Sequence, residues 1–171
     1  MFKLIGLLGI TLALGLTGVM KAHELRLRQE LLEEYMKLLL ALKSRINYFR
    51  EPLSKGFLGD GENESRKAFL MANDVFCELD EKKCGIEEIW AKKVEESYRN
   101  TPLTAKDREC MAYVGSFIGQ TDYENQLYSF DYTEQLLTAQ IKEAGEAYAA
   151  KAPLYRRLGF FVGGLISVIL I

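Results

Sequence analysis

The chain has 171 residues, with 22 basic and 24 acidic side chains and a net charge of −2. That balance offers no basic patch and excludes electrostatic nucleic-acid binding. Three prolines and no alternating β-branched runs exclude a sheet-built fold, and a middle rich in Leu, Ala, Glu and Lys predicts an all-α one.

The chain opens on Leu4–Met20, seventeen residues without a charge. A signal-peptide cleavage after Ala22 would put Met20 where a small residue is wanted, so residues 1–21 read as an uncleaved transmembrane anchor. A long helix is expected over 22–50. Leu32, Tyr35, Leu39, Leu42, Ile46 and Phe49 step by three and four and form its apolar seam. It stops before Glu51-Pro52, because a residue preceding proline avoids the α region. Pro52 suits the first turn of a second helix, and Gly56, Gly59, Asp60, Gly61 and Asn63 then mark a loop.

A third helix is expected over Glu64–Leu79, a charged turn over Asp80–Gly85, and a fourth helix over Glu87–Tyr98 around Ile89, Trp90 and Val94. Thr104 caps a fifth, with Asp107 in its first turn, and Gly119 stops it. Thr121 and Glu124 form a capping-box pattern that opens the last helix. Its expected seam is Tyr123, Leu127, Phe130, Glu134, Leu137, Ile141, Ala144 and Tyr148. Glu134, the one polar member, either turns to solvent or pairs with a basic residue. Pro153 is expected to kink this helix.

The chain closes on Leu158–Ile171, fourteen residues without a charge. As helix they rise about 21 Å, against about 30 Å of hydrocarbon. Residues 154–171 are expected to form a C-terminal transmembrane segment, with Arg156 and Arg157 snorkelling. Thr11 and Gly15, and Gly159 and Gly163, have the spacing of packed membrane helices, though glycine is common in such helices anyway. Lys21, Arg26, Arg28, Lys151, Arg156 and Arg157 flank the inner ends of both segments and place residues 22–153 in the cytoplasm. The expected fold is therefore a membrane-anchored bundle of about six helices. Its two long helices run antiparallel and are continuous with the membrane segments.

Catalytic patterns are missing. There is no phosphate-cradling G-x-x-x-x-G-K-[ST] and one histidine, His23, without a nucleophile near it in sequence. Cys77, Cys84 and Cys110 are an odd number without metal-ligand spacing and read as free thiols of a reducing compartment. Paired glutamates sit among lysines, as on solvated helix faces. The reading is a non-enzyme without a cofactor or metal.

Two stretches carry a resemblance. Arg50-Glu-Pro-Leu-Ser-Lys-Gly-Phe57 follows a long amphipathic helix, as in the cytoplasmic domains of type II secretion inner-membrane platform proteins. Gly119-Gln-Thr-Asp-Tyr-Glu-Asn-Gln126 leads through a long helix to Lys151-Ala-Pro-Leu-Tyr-Arg-Arg-Leu-Gly159 and a terminal apolar segment. In this order the two resemble the stage III sporulation protein AB family over essentially the whole chain. The resemblance implies a platform component of a secretion-like channel complex between mother cell and forespore. It further implies the mother-cell membrane around the forespore as location. The implied partners are a secretion-type ATPase and other membrane subunits of the same operon, with more than one copy of this chain. The competing expectation is a membrane-anchored helical adaptor or scaffold unrelated to sporulation. Expected partner-binding residues are Glu51, Pro52 and Leu53, and Asp122, Glu124, Asn125 and Gln126. For these a helix-start turn and helix capping are the plainer alternatives.

Overall fold

A computed structural model describes residues 2–49, 66–81, 85–119 and 122–169. They form helices α1 (Phe2–Phe49), α2 (Lys67–Glu81), α3 (Ile86–Tyr98), α4 (Ala105–Ala112), α5 (Val114–Phe117) and α6 (Tyr123–Ile169). No strand occurs among the described residues, and α5 is a single turn. The expected helix start at Glu51-Pro52 and the glycine loop that follows, Thr121 of the expected capping box, and Cys84 lie outside the described residues.

The chain divides into two units, Met1–Gln29 with Lys142–Ile171, and Glu30–Ile141. In the larger unit the expected α1 stripe is the core stripe as far as Ile46; the Phe49 side chain lies outside what is described. Leu32, Tyr35, Leu39, Leu42 and Ile46 are all buried, joined by Leu38. Trp90 fills the centre. Its Nε1 donates to Tyr35 Oη and to the Met111 carbonyl, each at 3.1 Å, and Tyr35 Oη donates to the same carbonyl at 2.7 Å. Gly115 lies flat against this indole. A Cβ there would come within 2.6 Å of Trp90 Cβ, so only glycine lets α5 pack so close.

Side chains cap the starts of α2 and α4. Glu34 on α1 caps α2, its Oε1 accepting from Ala68 N at 2.7 Å. Lys93 on α3 reaches Glu78 on α2 at 2.9 Å. Thr104 caps α4 as its sequence predicts. Its Oγ1 accepts from Asp107 N at 3.2 Å, and Asp107 Oδ2 accepts from Thr104 N at 2.7 Å, a complete capping box. The single helix expected over 104–119 is instead α4 and α5, separated by a turn at Tyr113. Gly119, with φ +73°, follows the end of α5.

α6 buries Phe130, Leu137 and Ala144 of the expected stripe, but the rest of its buried face is shifted. Gln126, Phe130, Thr133, Leu137, Gln140 and Ala144 are buried, whereas Tyr123 is 39% exposed. Three of the six are polar, and each finds a hydrogen bond. Gln126 Nε2 donates to the Phe117 carbonyl at 3.2 Å, and Thr133 Oγ1 to the Ser129 carbonyl at 2.7 Å. With its amide oriented to satisfy both neighbours, Gln140 donates to Asp107 Oδ1 at 3.1 Å and accepts from Lys106 Nζ at 3.2 Å. Glu134 pairs with Lys43 of α1 at 2.7 Å, and Asp131 meets the same ammonium at 2.6 Å.

In the smaller unit the two helix segments run antiparallel. Gly15 faces Phe160, Gly18 faces Tyr155 and Gly159, and Arg28 faces Glu143. The backbones nearly touch. A Cβ on Gly159 would sit 2.7 Å from the Leu14 carbonyl oxygen and 3.3 Å from Gly18 Cα. α6 continues through Pro153. Because proline has no N–H, the carbonyl of Ala149 loses its usual helical partner there.

The expected membrane segments are corrected. Among the described residues no helix is long and apolar enough to cross a membrane. Leu4–Met20 would rise about 26 Å, short of about 30 Å. It is also diluted by Gly6, Gly9, Thr11, Gly15, Thr17 and Gly18. The described part of the last stretch ends at Ile169 and is shorter still. Among the described residues the fold is thus an all-α bundle in which no helix is long and apolar enough to span a membrane. Four expectations that needed membrane-spanning ends are overturned with them. These are the membrane platform coupling a secretion-type ATPase to a channel, and the mother-cell membrane location. The others are the ATPase, membrane-subunit and multi-copy partnership, and the membrane-anchored adaptor.

Candidate interaction site

α5 and the start of α6 are locked together by short-range chemistry. Asp122 caps α6. Its Oδ1 accepts from Asn125 N at 3.0 Å, the bond expected of an N-cap residue. Asn125 Nδ2 closes the turn by donating to Asp122 Oδ2 at 2.7 Å. Gln126, one residue on, points inward and holds the last turn of α5 through Phe117. The Phe117 ring meets Phe130 edge to face at 4.9 Å, and Tyr113 lies 5.5 Å from Phe117.

Of the residues expected to bind a partner, Glu51, Pro52 and Leu53 lie outside the described residues. Asp122 and Asn125 are exposed but tied to each other, Gln126 is buried, and Glu124 is exposed. Of those expected to pack helices, Gly15 and Gly159 come together, and Gly163 is buried. The Thr11 side chain lies outside what is described. Gly18, which pattern reading passed over, makes the close contact with Gly159. Its spacing of three from Gly15 was the available signal.

Pattern reading also passed over the tyrosines. Tyr128 is 73% exposed, Tyr132 46% and Tyr113 41%. Tyr132 packs against Tyr113 edge to face, with centroids 6.2 Å apart. The signal was an uncharged row at helical spacing, Asn125, Tyr128, Tyr132, Gln135 and Ala139, on a face where charges are usual.

Among the described residues nothing near this surface is arranged for catalysis. Cys110 is buried beside Asp107, and burial pushes its thiol up to about 11, away from the nucleophilic thiolate. An open groove between α3 and α4 is lined by Ala91, Ala105 and Ala112, with Arg108 crossing it to Glu95 at 3.0 Å. Arg108 also donates to the Leu103 carbonyl at 2.8 Å, so its charge serves the fold. Among the described residues no group of three or more His, Cys, Asp or Glu side chains could hold a metal ion.

Compared with known proteins, residues 3–171 match the family model described as Stage III sporulation protein AB. No curated protein and no solved structure matches the chain.

Proposed function

The chain belongs to the stage III sporulation protein AB family, and from that premise we propose that it serves sporulation by binding another protein. The observation that carries this reading is the α5–α6 corner. Asp122, Asn125 and Gln126 use their polar groups to fix it, while Glu124 and three tyrosine rings stay at the surface. A rigid corner with exposed aromatics loses little entropy on binding, which suits a docking surface and serves no chemistry.

The test is genetic. A strain lacking the chain should engulf its forespore and then fail to complete development. Normal spore yield would overturn the sporulation role. Re-introducing the chain with Glu124→Arg should restore protein level but not full spore yield. Full yield from that variant would remove the corner from the function.

A further inference from the structure

The nature of the partner can be read from the outer face of α6, an inference that rests on the binding role above. Asn125, Tyr128, Tyr132, Gln135 and Ala139 step by three and four, share one line along the helix, and are all exposed. None is charged. A solvated helix face ordinarily carries Lys and Glu, while the centre of a protein interface is depleted of charge and enriched in tyrosine. The rings are supported from beneath. Tyr132 leans on Tyr113, Tyr113 on Phe117 and Phe117 on Phe130, with Phe130 buried in the core.

The border of this strip is acidic. Glu124 stands one turn before Tyr128 and Asp131 the next turn after it, so Glu124, Tyr128 and Asp131 share a flank. Glu109 stands one turn before Tyr113, whose N–H donates to the Glu109 carbonyl. Glu109 and Glu124 are exposed, and Asp131 keeps more than half its side chain in solvent while paired with Lys43. Of the neighbouring cations, exposed Lys106 and Lys142 sit at the Ala139 end of the strip, by Gln140 and Glu146, away from Tyr128. The others are paired with carboxylates within the fold: Lys43 holds Asp131 and Glu134, and Arg108 holds Glu95.

We propose that this strip docks a protein segment with an apolar centre flanked by Lys or Arg. The apolar centre would cover Tyr128 and Tyr132. The basic side chains would lie over the ring faces and reach the carboxylates of Glu124 and Glu109. Charge complementarity selects this occupant, because an acidic segment or an anionic surface meets like charge along the border.

The test places the photo-crosslinking residue benzoylphenylalanine at Tyr128 of the full chain in sporulating cells and maps the adduct by mass spectrometry. The expected result is one dominant adduct, to a peptide with two or more Lys or Arg around an apolar residue. Glu124→Lys with Glu109→Lys should lower its yield about tenfold. The same probe at Lys92, exposed on α3, should not give it. No adduct at Tyr128, an adduct to an acidic peptide or to a second copy of this chain, or a yield insensitive to charge reversal would each overturn the proposal. If the deletion strain fails to sporulate while the adduct has the wrong chemistry, the binding role stands and this inference falls. A basic adduct in a strain that sporulates normally without the chain reverses that outcome.

Discussion

Tyr35 and Tyr98 are both fully buried phenols with opposite environments. Tyr35 Oη donates to the Met111 carbonyl and accepts from Trp90 Nε1. Tyr98 Oη has no hydrogen-bond partner among the described residues. Tyr35→Phe removes a made bond, while Trp90 Nε1 keeps the Met111 carbonyl, so it should cost about 1 kcal/mol in urea unfolding. Tyr98→Phe removes a hydroxyl that was desolvated without return and should leave stability unchanged or raise it. A loss at Tyr98 equal to that at Tyr35 would show that its hydroxyl is satisfied. No sequence pattern separates these two tyrosines. Both sit at apolar positions of helices, and only the approach of Trp90 and Met111 to one of them makes the difference.

At the scale of elements, local chemistry was readable and cross-element chemistry was not. Thr104 and Asp107 are three residues apart and cap α4 with their own atoms, so the sequence was sufficient there. Asp107 also receives Gln140 from α6, thirty-three positions later, and no spacing rule reaches that far. Thr104→Ala should cost about 1 kcal/mol. Asp107→Ala should cost more than Thr104→Ala, because it strands both the Thr104 N–H and the buried Gln140 amide. Equal losses would mean that Gln140 contributes nothing to the cap. The close approach in the smaller unit gives a separate test. Gly159→Leu would drive a side chain into the Leu14 carbonyl and Gly18. Amides of residues 142–169 should then exchange at least about tenfold faster, while those of α3 stay protected. Unchanged protection in 142–169 would show that the glycine contact does not hold that unit.

At the scale of the whole molecule, the perturbed groups point to one pH response. Burial raises the Tyr35 and Tyr98 phenols above 10.0 and the Cys110 thiol from 9.0 to about 11. Hydrogen bonds to Asp131 and Glu134 raise the Lys43 ammonium above 10.5. Each folded value lies above the unfolded one. The stability linked to each group is therefore complete below its unfolded pKa and is lost as pH rises through the folded value. The unfolded chain releases protons first as pH rises. Unfolding free energy should hold through pH 8, decline from about pH 9 as Cys110 enters its window, and fall faster above about pH 10. A stability that rises between pH 9 and 11 would contradict the burial of these groups. At pH 8 thiol labelling should reach exposed Cys77 quickly and buried Cys110 slowly.

The sequence by itself determined that the chain is helical, where α4 begins, which face of α1 is apolar, and which family the chain belongs to. The first three follow from propensity, short-range capping and a regular apolar spacing, which depend on near neighbours; the family follows from similarity over residues 3–171. Tertiary structure decided the rest. The α6 stripe includes Gln126, Thr133 and Gln140, and the two glutamines are satisfied by groups on other elements. Pattern reading, which takes apolar residues as buried, shifted that stripe. Two uncharged ends read as membrane segments by composition. The described helices they form are too short in apolar length to cross, and Gly15, Gly18 and Gly159 bring them together. The exposed tyrosines of α6 depend on the same fact. Whether an aromatic at helical spacing is core or surface is set by what packs above it, and that is a property of the folded chain.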